Sequence, residues 1–230
     1  RRDFTVNSIG YDVLTQELLD PFDGLGDLKR KILRHIGTSF AEDPLRVLRA
    51  MQFSARLEFK IAPETVKLCR QLDLEELSRE RIFEEFQKLL LKAKRPSIGL
   101  EAANNLGILA YFPELKALIG VPQDPEWHPE GDVWTHTLLV MDEAAGLRKC
   151  DDKKDLELMF AALCHDFGKP VTTEFIRGRW RSPAHDIEGI APTELFLRRM
   201  TDDRTLIEKV KTSLVLLSLR FSFQLYFMST

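Results

Sequence analysis

The sequence predicts an α+β protein in which a short β-sheet precedes a mostly helical remainder, and three observations carry that prediction. Apolar residues alternate with a period near two before residue 38 and recur at three- and four-residue steps after it. Turn chemistry is dense in the early part, where Asp20-Pro21-Phe22-Asp23-Gly24 interrupts the alternation. Finally, Pro113, Pro122, Pro125 and Pro129 punctuate a loop-rich stretch between two helical regions. The expected organisation is a sheet-bearing remnant over residues 1–38, a helical neck over 39–125, a second helical unit over 126–211, and an apolar tail over 212–230. With 44% apolar residues in 230, the chain has enough material to bury real cores.

In order along the chain, residues 4–13 and 17–22 read as two strands of a hairpin, and residues 31–36 as a further short strand before Gly37. Helices are then expected over residues 44–57, 63–72, 78–92 and 97–106, joined by the short connections typical of bundles. The second unit should contain helices over residues 134–148, 155–165 and 192–200, with a loop or small hairpin over 169–182. In the tail, Arg220 is the only charge after Thr212, and helical spacing of Leu214, Leu217 and Phe221 allows a buried helix. The composition changes at one point, so an abrupt replacement of a charged helix is expected there instead. The tail is too interrupted to span a membrane.

A formal charge of -3 gives no global pull toward nucleic acid, so any such partner must be met by a local basic patch, such as the cluster from Lys88 to Arg95. Cys69, Cys150 and Cys164 show no CxxC spacing, which fits a reducing, cytoplasmic setting without disulfides or a zinc ribbon. The chain opens without Met or signal peptide, and a truncated N-terminus is expected.

The stretch from Ser39 to Met51 carries the most chemistry. Ser39 or Asp43 suits an N-cap, and Pro44 suits the first turn, where a missing N–H costs nothing. Asp43 and Glu42 stand three and four residues before Arg46, which allows a local ion pair at a helix start. A sharper possibility follows from donor and acceptor counts. A carboxylate only accepts hydrogen bonds and a guanidinium only donates them, so the two side by side match a base edge offering an amine donor and a ring-nitrogen acceptor. Cytosine and adenine have that edge; uracil and guanine present a ring N–H instead. Upstream, Arg1 and Arg2 suit a triphosphate and Asp3 a ribose hydroxyl, although a solvated charged strand end explains the same three residues.

Three ordered stretches, Arg1 to Ser8, Asp20 to Leu28 and Glu42 to Ala50, closely resemble motifs of the bacterial class II tRNA nucleotidyltransferases, the CCA-adding enzymes and their poly(A) polymerase relatives. Glu76 to Glu85 resembles a fourth family element. The resemblance spans roughly residues 1 to 200 and implies a nucleotidyltransferase head that adds CMP and AMP from CTP and ATP to the 3′ end of tRNA. It implies triphosphate and ribose contacts for Arg1, Arg2 and Asp3, and base selection by Asp43 and Arg46 with Glu42 holding Arg46. Arg49 belongs to the same nucleotide-binding motif. The family's glycine-rich turn and Asp-x-Asp pair, which hold Mg²⁺, have no counterpart in this sequence, so this chain alone is expected to bind nucleotide poorly and to transfer nothing. The motifs leave a poly(A) polymerase or an A-adding enzyme open as alternatives.

A second constellation comprises His136 within Trp134-Thr135-His136-Thr137 and the doublet His165-Asp166 at a helix C-terminus. It resembles the HD phosphohydrolase superfamily, with His185 where that family often has a further histidine. The resemblance implies that His136, His165, Asp166 and His185 hold a divalent metal such as Mn²⁺ or Ni²⁺, with Lys169 facing phosphate. The superfamily's closing Asp has no convincing candidate, since Asp202 and Asp203 look like helix-capping residues. A stand-alone HD phosphohydrolase, or a tRNA-binding module without nucleotidyl transfer, remains the alternative function. No DNA partner and no membrane are expected.

Overall fold

The computed structural model describes residues 2–214 and divides the chain into two compact units, Arg1–Tyr111 and Phe112–Thr230. Arg1 and the tail beyond residue 214 lie outside the described residues.

The first unit opens differently from the expected strand. The Asp3 carboxylate accepts from Phe4 N and Asn7 Nδ2, both at 2.9 Å, and winds Thr5–Asn7 into a 3-10 turn. Apart from Phe4, which bridges antiparallel to His35, the expected strand keeps only Gly10–Asp12 (β1), which pairs antiparallel with Glu17–Leu19 (β2) as the anticipated hairpin. Where turn chemistry suggested only a loop, Gly24–Arg30 is a helix (α1). Asp20 starts it by accepting from Gly24 N at 2.6 Å and Leu25 N at 2.9 Å, which satisfies two amides that have no partner inside the helix. The strand expected over residues 31–36 shrinks to Ile32–Leu33 (β3), and its partner is the unanticipated Lys60–Ile61 (β4), in a parallel pair.

Helix Leu45–Leu57 (α2) is the core of this unit. Val47, Leu48, Ala50, Met51 and Ala55 are buried on it, and Pro63–Cys69 (α3), Arg79–Lys92 (α4) and Pro96–Leu106 (α5) follow close to the expected bounds. Gly99 sets how closely α5 approaches α2. A Cβ there would lie 2.4 Å from Leu89 Cδ1 and 3.1 Å from the Met51 carbonyl. Fully buried Phe4, Phe40, Phe86, Leu89 and Leu90 complete the core, each burial contributing about 1.5–3 kcal/mol of transfer free energy.

The second unit begins with Pro113–Ala117 (α6), short and helical within the stretch read as loop-rich. Asp132 then caps Val133–Gly146 (α7) by accepting from Thr135 N at 2.9 Å, and Asp151 caps Asp152–Cys164 (α8), which packs on α7. After α8 come Lys169–Thr172 (α9), the hairpin Glu174–Ile176 (β5) with Arg179–Arg181 (β6), His185–Glu188 (α10) and Ile190–Arg198 (α11). The hairpin is one of the two forms expected over residues 169–182. Phe196 is the hub of the core, with Phe112, Phe160 and Phe167 around it at 5.6, 6.5 and 5.3 Å between ring centroids. Residues 204–214 are helical, and Asp203 caps that segment by accepting from Thr205 N and Leu206 N. No described helix is long and apolar enough to cross a membrane. Cys69, Cys150 and Cys164 are all free thiols, and burial pushes Cys69 up to about 12 and Cys164 well above the ordinary thiol value.

Candidate functional site

In the first unit the local ion pair at the start of α2 does not form. Asp43 is extended (φ -135°, ψ 100°), so the helical three-residue step to Arg46 does not apply. Its two carboxylate oxygens instead accept from Arg81 Nη2 of α4 at 3.0 and 2.9 Å, and Oδ1 also meets Leu45 N at 3.2 Å. Arg46 Nη1 donates to the Ser39 carbonyl, with the guanidinium 6.0 Å from the Phe40 ring centroid. Asp43 and Arg46 thus flank the same helix start while each is held by a different neighbour.

Asp3 is buried and grips Arg49, which sits 2.7 Å away through Nε and 2.6 Å through Nη2. Burial alone would raise the Asp3 carboxyl, but Asn7 and Arg49 outweigh it and hold the group below its ordinary value. On its other side Arg49 Nη1 lies 4.0 Å from Glu85 Oε1, which Lys88 also contacts at 2.8 Å. Asp3, read as a ribose contact, is therefore also the anchor that ties the chain start to α2. Arg2 is exposed.

The second unit brings together all four residues expected to hold a metal. Asp166, 1% exposed, is the centre. Its Oδ2 lies 3.1 Å from His165 Nε2, 4.0 Å from His136 Nε2 and 2.9 Å from Lys169 Nζ, and its Oδ1 lies 3.7 Å from His185 Nε2. The three imidazoles share one design. His165 Nδ1 is 2.8 Å from the Ala162 carbonyl and His185 Nδ1 is 2.8 Å from the Ser182 carbonyl. His136 Nδ1 is 2.7 Å from Glu130 Oε1. A carbonyl or an ionised carboxylate only accepts, so each Nδ1 carries the proton and each Nε2 lone pair is turned toward Asp166.

Backbone geometry makes that convergence possible. A Cβ on Gly168 would stand 2.0 Å from the His185 carbonyl and 2.7 Å from Gly189 N, so only glycine lets the α10 turn close on the loop after Asp166. Burial works to raise the Asp166 carboxyl, but neighbouring positive charge, including the Lys169 ammonium at 2.9 Å, holds it far below the carboxylate range. Even so, His165 Nε2 and Asp166 Oδ2 are buried without a hydrogen-bond partner. Lys169 gives Oδ2 one cationic neighbour at 2.9 Å, and the His165 Nε2 lone pair that faces the same oxygen at 3.1 Å is the contact a bound cation would relieve.

Two residues that the sequence reading passed over complete the surroundings. His128 and Glu130 precede α7; His128 Nδ1 lies 3.0 Å from Glu130 Oε1, and its ring centroid is 4.8 Å from that of His136. Glu130 falls to about 2 although burial opposes it, because its own backbone amide, His128 and His136 donate to it. The spacing His128-x-Glu130 next to a Pro and a Gly was the available signal. A cavity of about 340 Å³ opens beside the centre, with Trp127, His128, Lys169, Trp180, Arg181 and His185 among its walls.

Comparison with known proteins adds to this geometry. A family model described as the poly(A) polymerase head domain matches residues 1–34, and one described as a probable RNA- and SrmB-binding site of polymerase A matches residues 58–119. The chain is 44% identical over 209 residues to the Multifunctional CCA protein of Xylella fastidiosa (strain 9a5c), covering 87% of this chain and 48% of that protein. It is 41% identical over 208 residues to the Multifunctional CCA protein of Mannheimia succiniciproducens, covering 87% and 49%. Among solved structures it is similar to a tRNA-processing enzyme in an apo form, at 26% identity and a TM-score of 0.50 over 91% of this chain and 50% of that one. The chain spans about half the length of the curated relatives it matches.

Proposed function

We infer, from the chain's membership of the class II tRNA nucleotidyltransferase family to which the CCA-adding enzymes belong, that it serves in adding CMP and AMP from CTP and ATP to the tRNA 3′ end. The observation that carries this reading is the 44% identity to a Multifunctional CCA protein across 87% of the chain. Within it, Asp43 and Arg46 are the base-selecting pair. The Asp43 carboxylate accepts from the exocyclic amine of C or A, and Arg46 donates to the adjacent ring nitrogen. Arg1, Arg2 and Arg49 meet the nucleotide's phosphates and ribose together with Asp3, and the Ser39 carbonyl holds Arg46. The Mg²⁺ carboxylates of nucleotidyl transfer are absent from these residues, and the working site is cytoplasmic.

The test uses tRNA ending at the discriminator base. This chain alone should incorporate no nucleotide from CTP or ATP, whereas a chimera carrying the preceding head segment of the Xylella fastidiosa relative should add both. Incorporation by the chain alone, or none by a folded chimera, contradicts the reading.

A second activity is favoured by the four converging groups of the second unit. The residues fit a divalent metal: ligand atoms of His136, His165 and Asp166 lie within 4.8 Å of one another, and His185 Nε2 lies 3.7 Å from the other Asp166 oxygen. We assign this unit as an HD-type phosphohydrolase domain in which His136, His165, Asp166 and His185 hold Mn²⁺ or Ni²⁺. A bound divalent ion there supplies a water of lowered pKa and a Lewis acid for phosphoester hydrolysis. The chain's own contribution is cationic: Lys169, fixed by Gln123 Oε1 at 2.8 Å, and Arg181 on the cavity wall neutralise a phosphate. Titration with Mn²⁺ or Ni²⁺ tests the assignment, since occupancy should appear in the native chain.

A further inference from the structure

Glu130 touches two histidines at once, on the side of His136 away from Asp166. Its Oε1 receives His136 Nδ1 at 2.7 Å and His128 Nδ1 at 3.0 Å, and the two rings meet edge to face, 82° apart. The other two histidines of the centre have their Nδ1 protons fixed by backbone carbonyls, an anchor set by the fold itself. His136 differs. Its backbone lies in α7, and its Nδ1 partner is a side chain from the preceding loop, Glu130. That carboxylate is 19% exposed, and His128 meets the same oxygen at 3.0 Å.

We propose that Glu130 is a positioning residue for the metal centre, holding His136 with its proton on Nδ1 and its Nε2 toward Asp166, and that His128 fixes Glu130 in that role. The inference rests on the metal reading of the second unit. Nothing else in the site can do this work: Asp166 lies on the Nε2 side, 4.0 Å away, and Lys169 only donates. A carboxylate behind a ligating imidazole fixes ring orientation and raises its basicity, and removing such a partner weakens metal binding by about 10–100-fold. The same three side chains offer ligand atoms within 4.8 Å of one another, so a second ion held by His128, Glu130 and His136 is the competing occupant. It is disfavoured because His136 would then bridge two ions through both ring nitrogens, with no acceptor left for its proton.

The experiment has two readouts on the full chain. Two-bond ¹H–¹⁵N spectra of the histidines report the tautomer of His136 without metal, and Mn²⁺ binding followed by loss of the free-ion EPR signal reports affinity and stoichiometry. Native protein should show the Nδ1–H tautomer at His136 and bind one Mn²⁺. Glu130→Ala should shift His136 toward the Nε2–H form and weaken Mn²⁺ about 10–100-fold, with an unchanged far-UV spectrum. Glu130→Gln keeps an accepting oxygen and should restore the tautomer and most of the affinity. An unchanged tautomer and affinity in Glu130→Ala overturns the inference while leaving the metal reading intact. Two ions per chain, one of them lost in His128→Ala, also overturns it. Absence of Mn²⁺ binding in the native chain overturns the metal reading and this inference with it.

Discussion

Asp43 is held by Arg81 from the neighbouring helix, both carboxylate oxygens meeting one guanidinium nitrogen at 2.9 and 3.0 Å. One donor nitrogen leaves other lone pairs of the carboxylate open, so the contact orients Asp43 without exhausting it. Both partners are partly exposed, with side chains at 46% and 35%. Arg81→Ala should therefore lower unfolding stability by no more than about 1 kcal/mol in a urea titration. A loss well above that would assign the pair to packing of α4 on α2 instead of to Asp43.

Asp3 makes the stability of the first unit depend on pH. Its folded carboxyl lies below the ordinary value of 3.8, so its contribution is complete above that value and is lost as pH falls through the folded pKa. The difference in stability between native protein and Asp3→Asn should shrink as pH drops from about 5 to below 3.8, and at pH 7 the variant should be less stable by about 2 kcal/mol. A gap that is independent of pH would remove Arg49 and Asn7 as the cause.

Gly168→Ala places a methyl group where the His185 carbonyl already stands. Overpacking of this kind costs about 1–3 kcal/mol. Because α10 carries His185, relief of the clash moves that histidine away from Asp166, so Mn²⁺ affinity should fall along with the melting temperature. Alanine at the exposed helical Gly146, where a Cβ meets nothing within 4 Å, is the control and should leave Mn²⁺ affinity unchanged without lowering the melting temperature.

His165→Ala removes the nitrogen nearest to Asp166. Mn²⁺ or Ni²⁺ occupancy, measured by titration calorimetry, should be abolished. Undiminished occupancy in this variant would place the ion elsewhere.

Much of this was legible in the sequence, for reasons that particular residues make plain. The helices of both units were legible because apolar periodicity reports one buried face, as with Leu48, Met51 and Ala55 on α2. Helix α1 was hidden because Asp20 acts from outside it, and its turn-like composition, with Gly24 and Gly26, argues against a helix. The parallel pairing of Ile32–Leu33 with Lys60–Ile61 is a long-range contact that no local pattern encodes. At the candidate sites, it was the resemblance that singled out His136, His165, Asp166 and His185, and the structure places the three histidines within 4.0 Å of the Asp166 carboxylate. The partnership of Asp43 with Arg81 was missed because spacing along one helix was extended past its start to a residue with extended backbone. Glu130 was missed because its role depends on what faces His136 from a loop.

The most direct measurement is base choice by the chimera that joins the head segment of the Xylella fastidiosa relative to this chain. With tRNA ending at the discriminator base, the native sequence should incorporate from CTP and ATP and reject UTP and GTP, and Asp43→Ala and Arg46→Ala should each lose that discrimination while the protein remains folded. Retention of full selectivity for C and A in both variants would contradict the assignment of base recognition to the start of this helix.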